Sequence, residues 1–140
     1  MQSIIWDTSV YITRLRKAFD WNNEQSQNLT LSSVVIAELA TGYVTKTPQS
    51  AEFKSYVEHM FLTNRVLNPS FYDWYNSGII IGKILVSRPD LKNKKALLFN
   101  DCLIAISSTQ INAKVITANI KDFELIKNYV AFNVSYQYAS

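Results

Sequence analysis

The sequence predicts an α/β fold: a three-layer α/β/α sandwich around a central, mainly parallel sheet of about five strands. Three observations carry this. Short apolar runs alternate along the chain with longer stretches whose apolar residues recur at helical spacing. Hydrophobic residues make up 48% and charged residues 18% of the 140, with no Gly-, Ser- or Pro-rich linker, which excludes disorder and favours a single domain over residues 1–140. The first apolar run, Ser3-Ile4-Ile5-Trp6, ends in a carboxylate, in Asp7-Thr8-Ser9. Ligands of open α/β sheets bind at the carboxyl ends of the strands, so Asp7 marks one corner of a predicted site.

Taken in order, the run ending at Trp6 is the first strand. Ser9 can cap a helix on which Tyr11, Leu15, Ala18 and Phe19 fall on one face. The Asn- and Gln-rich stretch 20–28 is a predicted loop, and 29–32 alternates as a second strand. Ser32 or Ser33 caps a helix over 34–45 that carries Glu38 one turn in and stops before Pro48. A helix over 49–61 follows, with Phe53, Val57, Met60 and Phe61 on one face, then a short strand at 64–67 ended by Pro69. The helix predicted over 70–87 aligns Trp74, Gly78, Ile81, Gly82 and Leu85. Glycines are costly inside a helix, so these two are expected where a neighbour packs closely. A lysine-rich loop leads to a helix over 96–110, with Leu98, Cys102, Ala105 and Ile106 facing the core and Asp101 in its first turns. Residues 114–117 form a buried strand, Asp122 follows in a short helix, and 130–132 is the predicted last strand, with the tail from 134 unassigned.

Composition narrows the chemistry. The lone Cys102 cannot form an internal disulfide and is predicted to be a buried structural thiol, which fits a reducing compartment. No signal peptide is evident, and the longest apolar run is far shorter than the ~20 residues a bilayer requires, so a soluble, cytoplasmic protein without membrane contact is expected. The net charge of +3 and pI near 9.0 admit a polyanionic partner. Basic residues cluster at Arg14, Arg16 and Lys17 and at Lys92, Lys94 and Lys95; as solvated faces they would mean nothing more.

Asp7, Glu38 and Asp122 lie just beyond strand ends, and Asp101 joins them if its helix starts at the same rim. Each alone could cap or complement a helix N-terminus. Together, uncompensated, they would repel and raise one another's pKa, and a divalent cation is the natural partner. An oxygen-only set points to Mg²⁺ or Mn²⁺. The sole histidine, His59, lies in a helix away from the rim, which leaves Ser-His-Asp and Cys-His mechanisms without a base. Hydrolysis would then rest on water activated by the metal. Trp6, Trp21 and Trp74 are predicted packing residues rather than base-stacking ones.

The segments Ile5-Trp6-Asp7-Thr8-Ser9-Val10, Ser33-Val34-Val35-Ile36-Ala37-Glu38-Leu39, Asn100-Asp101-Cys102-Leu103-Ile104-Ala105 and Val115-Ile116-Thr117-Ala118-Asn119-Ile120-Lys121-Asp122-Phe123 resemble, in order, the four motifs of the PIN-domain nucleases. The size and the position of Asp7 resemble the VapC-type toxins of bacterial toxin–antitoxin pairs. The resemblance implies a Mg²⁺- or Mn²⁺-dependent endoribonuclease with Asp7, Glu38, Asp101 and Asp122 as catalytic metal ligands. Thr8, Thr117 and Asn119 would support the metal or its waters, and either Asn119 or Asp122 would complete the fourth corner. It also implies an antitoxin partner covering the acidic groove, and a homodimer. RNA would track along Lys92, Lys94 and Lys95, with Arg14 and Arg16 as secondary contacts.

Two other readings compete. A catalytically idle fold of the same kind could act as an RNA- or protein-binding module. A phosphoacceptor domain could use Asp7 as nucleophile, although Thr8 and Ser9 leave it without the neighbouring acid such domains use.

Overall fold

The structure is a computed structural model that describes residues 2–16, 28–46 and 50–137. Five strands lie in one sheet: β1 (Ile4–Trp6), β2 (Leu29–Ser32), β3 (Val66–Leu67), β4 (Lys114–Thr117) and β5 (Asn133–Tyr136). Their order is β3-β2-β1-β4-β5, and every neighbouring pair is parallel. Six helices connect them: α1 (Thr8–Arg16), α2 (Ser33–Lys46), α3 (Ser50–Leu62), α4 (Phe71–Ser87), α5 (Lys95–Ser108) and α6 (Ile120–Lys127). None of the described helices is long and apolar enough to cross a membrane.

The strand order explains where a site can form. The chain steps outward from β1 to β2 and β3, then returns past β1 to lay down β4 and β5 on its other side. Crossovers between parallel strands are right-handed, so this reversal places α1–α3 on one face and α4–α6 on the other. Contacts agree with the three layers. The hydroxyls of Tyr11 in α1 and Tyr56 in α3 meet at 2.9 Å, while Trp74 of α4 faces Phe99 of α5 at 6.0 Å. Between the layers, Ile5, Leu31 and Val115 are fully buried in the sheet. The reversal lies between β1 and β4, the position where open α/β sheets bind ligands.

Local sequence accounts for most boundaries. Ser32 Oγ accepts from the Val34 amide at 3.2 Å and starts α2. Ser70 caps α4, accepting from the Asp73 amide at 3.1 Å while the Asp73 carboxylate accepts from the Ser70 amide at 2.9 Å, a reciprocal capping box. The lysine-rich segment expected as a loop is wound into a 3₁₀ helix, Pro89–Lys94, with Leu91 buried beneath it.

Three expectations need correction. The last strand is Asn133–Tyr136, not 130–132: the amides of Tyr129 and Val130 still bond the Ile126 carbonyl, so the chain is unwinding from α6 there, and Phe132 packs on Phe123 instead. Asp101 is the seventh residue of α5 (Lys95–Ser108), in its second turn. Gly78 and Gly82 do not meet a close neighbour within the chain; a Cβ on either would have nothing within 4 Å. The buried face of α4 is instead Asp73, Ser77, Ile80, Ile81 and Ile84, and Trp74 is half exposed. The side chains of Leu15 and Arg16, and residues 17–27 with Lys17, Ala18, Phe19, Trp21 and most of the predicted 20–28 loop, lie outside the described residues.

Candidate active site

Asp7 sits at the first turn beyond β1 and is almost fully buried. Its backbone links β1 to β4 and to α1, donating to the Ile116 carbonyl at 2.9 Å and accepting from the Val10 amide at 3.0 Å. The carboxylate is held by two hydroxyls: Oδ2 accepts from Ser9 Oγ at 2.9 Å and from Thr117 Oγ1 at 2.8 Å. Each hydroxyl in turn accepts a backbone amide of the β4–α6 turn, Ser9 from Ala118 at 3.0 Å and Thr117 from Asn119 at 2.9 Å. The turn after β4 is thereby fixed to the end of β1, as the switch point of the sheet requires.

The other three acids converge on this point from three elements. Glu38, on α2, accepts from Thr8 Oγ1 at 2.7 Å. Its pKa is raised, first by burial and then by the Asp7 charge, against opposing hydrogen bonds from Thr8 and Asn100. Asp101, on α5, is 7% exposed. Its carboxyl is pushed up to about 9, chiefly by burial, then by the charges of Asp7, Asp122 and Glu38, with a hydrogen bond to Asp122 adding to the effect. Asp122, in the first turn of α6, is buried and paired with Lys94, whose Nζ lies 2.9 Å from Oδ1. Asn119 Nδ2 bridges the last two acids, donating to Asp101 Oδ2 at 3.1 Å and to Asp122 Oδ2 at 3.0 Å.

All four acids predicted from the sequence are therefore electrostatically coupled, and Thr8, Thr117 and Asn119 bond them directly. Three participants were not anticipated. Ser9, a helix cap by its sequence, also bonds Asp7; its place two residues after a strand-end acid is the available signal. Asn100, beside Asp101, reaches Glu38. Lys94 is committed to Asp122 at the rim rather than standing free as a backbone-tracking lysine, whereas Lys92 and Lys95 are exposed and line an open groove with Phe99. Arg14 packs its guanidinium 4.5 Å over the Trp6 ring, and the side chain of Arg16 is outside the described residues. His59 is on α3, which contributes no residue to the cluster, and Cys102 is buried with its thiol pushed up to about 11, first by burial.

The donors are all oxygens and carry more negative charge than the single ammonium of Lys94 offsets, which is the chemistry a hard divalent cation satisfies. The residues fit Mg²⁺ or Mn²⁺ by type. Among the described residues, however, no three acids already stand close enough together to cage an ion. Asn119 donates to both Asp101 and Asp122, and Lys94 donates to Asp122 alone.

No family model matches the sequence, and no curated protein sequence does either. Solved structures do. A chain of the VapBC2 complex from Rickettsia felis, bound to a DNA fragment from its promoter, is 26% identical, with a TM-score of 0.57 over 97% of this chain and 99% of that one. A chain of VapBC-1 from nontypeable Haemophilus influenzae is 21% identical, with a TM-score of 0.63 over 98% of both chains. A chain of DNA-bound VapBC from Salmonella typhimurium is 21% identical, with a TM-score of 0.57 over 97% and 98%. The similarity runs along nearly the full length of these chains. In its fold the chain is similar to chains of these VapBC complexes, consistent with the PIN-domain, VapC-type resemblance of its sequence.

Proposed function

We propose that the protein is a Mg²⁺- or Mn²⁺-dependent endoribonuclease, the toxin of a toxin–antitoxin pair, acting in the cytoplasm with the chain as a single nuclease domain. The observation that carries this reading is the coupling of Asp101 to Asp7, Glu38 and Asp122 at the switch point of the sheet. A buried set of mutually repelling carboxylates is destabilising unless a cation joins it. The similarity to chains of VapBC complexes supports the toxin assignment and an antitoxin partner.

In this reading Asp7 and Asp101 hold the ion, with Glu38 and Asp122 engaging it directly or through water. A bound divalent ion supplies Lewis acidity, lowering the pKa of water and offsetting charge on the phosphate. The chain's own residues prepare the site. Ser9 and Thr117 hold the Asp7 carboxylate in one orientation, Thr8 does the same for Glu38, and Asn119 spaces Asp101 from Asp122. Lys92 and Lys95 attract the RNA backbone beside α5.

A homodimer is supported by α4. Phe71, Trp74, Tyr75, Ile79 and Val86 are exposed along one stripe of that helix, and Gly78 and Gly82 lie within it, open to close approach from outside the chain. The decisive assay is cleavage of single-stranded RNA with Mn²⁺ or Mg²⁺, with EDTA, and with Asp7→Asn. Cleavage abolished by EDTA and by the substitution is the expected result; cleavage that survives both overturns the reading.

A further inference from the structure

Lys94 occupies an unusual position for a lysine of a basic surface cluster. Its ammonium reaches Asp122, whose side chain is only 6% exposed, while the lysine itself remains 38% exposed, so the pair straddles the rim of the site. The position is built rather than incidental. Lys94 ends the 3₁₀ helix Pro89–Lys94, which is fastened at its start by the Arg88–Asp90 pair and pinned by buried Leu91. Its other end runs directly into α5, the helix that carries Asp101. Both oxygens of Asp122 are engaged by nitrogen donors, Oδ1 by Lys94 and Oδ2 by Asn119, and Asn119 passes the same contact on to Asp101. Lys92 and Lys95, two and one positions away, line the neighbouring open groove.

A positive charge at hydrogen-bond distance from a buried carboxylate does for that carboxylate part of what a divalent ion would do, and the two cations repel each other at such range. We propose that Lys94 is a resident counter-cation of the acid cluster, which neutralises Asp122 while no divalent ion is bound and competes with the ion for that carboxylate. It thereby lowers the affinity for the ion and keeps the metal-free cluster from destabilising the fold. This inference rests on the metal-site reading above and assigns Lys94 a role distinct from holding RNA.

The test is a titration of the full-length protein with Mn²⁺, followed by calorimetry and by thermal melting, for wild type, Lys94→Met, Lys94→Arg, Lys92→Met and Asp101→Asn. Removing one nearby positive charge is expected to tighten Mn²⁺ binding roughly tenfold in Lys94→Met. The same variant should melt lower than wild type in EDTA and recover more on adding Mn²⁺. Lys94→Arg should behave as wild type, and Lys92→Met should leave Mn²⁺ affinity within about twofold, since its charge is exposed and screened. Unchanged or weaker Mn²⁺ binding in Lys94→Met, while Asp101→Asn abolishes binding, overturns the counter-cation role and leaves the metal site standing. Absence of Asp101-dependent Mn²⁺ binding in the wild type overturns both.

Discussion

Thr117 Oγ1 donates to Asp7 Oδ2 across 2.8 Å, joining the carboxyl ends of β1 and β4 at the point where the strand order reverses. The same hydroxyl accepts from the Asn119 amide, so one buried side chain orients both an acid of the site and the turn that carries Asn119. Thr117→Val keeps the volume but leaves a buried carboxylate oxygen and a backbone amide without this partner. A loss of about 1–3 kcal/mol is expected, with Thr117→Ser closer to wild type. Urea denaturation of the two variants decides it; equal midpoints would show that the bond is not coupling the strands.

Asp101 yields a dependence on pH in the absence of metal. Its carboxyl is raised from 3.8 to about 9 in the folded protein, so between those values the folded state binds a proton that the unfolded state releases. Stability from this group is full below the unfolded pKa and is lost as pH rises toward 9. In EDTA the melting temperature should therefore fall between about pH 5 and 9, and Asp101→Asn should flatten that fall and melt higher than wild type at neutral pH. Melting curves across that range, with and without Mn²⁺, are the measurement. A wild-type slope matched by the variant would mean that another group is responsible.

The stripe on α4 predicts an assembly. Tyr75→Glu or Gly82→Glu places a charge at exposed positions of that stripe, so neither should lower the stability of the monomer by more than ~0.5–1 kcal/mol. Both should convert a homodimer to monomer. Light scattering coupled to gel filtration reads the mass directly, and wild type running as a monomer at micromolar concentration would remove the dimer from the proposal.

Lys92 and Lys95, unlike Lys94, are free to meet a polyanion. Replacing both with Gln should weaken single-stranded RNA binding and reduce the salt slope by about 1–1.5, with Mn²⁺ affinity little changed. Fluorescence anisotropy at several salt concentrations gives both quantities. An unaltered slope would place the RNA elsewhere.

Much of this molecule was legible in its residues because the relevant signals are local. A run such as Ile4-Ile5-Trp6 closed by Asp7 is a buried strand delivering an acid to its carboxyl end, and it needs no distant partner to be read. The parallel α/β class and the identities of Asp7, Glu38, Asp101 and Asp122 followed from such signals. What failed was decided by packing between segments far apart in sequence. Strand pairing with β4 selected Asn133–Tyr136 over the more apolar 130–132, because the end of α6 had already taken up the Tyr129 and Val130 amides. Periodicity aligned Trp74, Gly78, Ile81, Gly82 and Leu85 on α4, but burial went to the side bearing Ile80, Ile81 and Ile84.

The chain alone thus determined which acids exist and that Asp7, Glu38 and Asp122 follow strand ends. Only the tertiary structure decided how they are coupled. Hydrogen bonds and Coulomb forces act over a few ångströms, and the pairs that matter, Thr117 with Asp7 and Lys94 with Asp122, are separated by 110 and 28 positions in the sequence. Folding at the switch point brings each pair within 3 Å, and so converts four separate carboxylates into one interacting site.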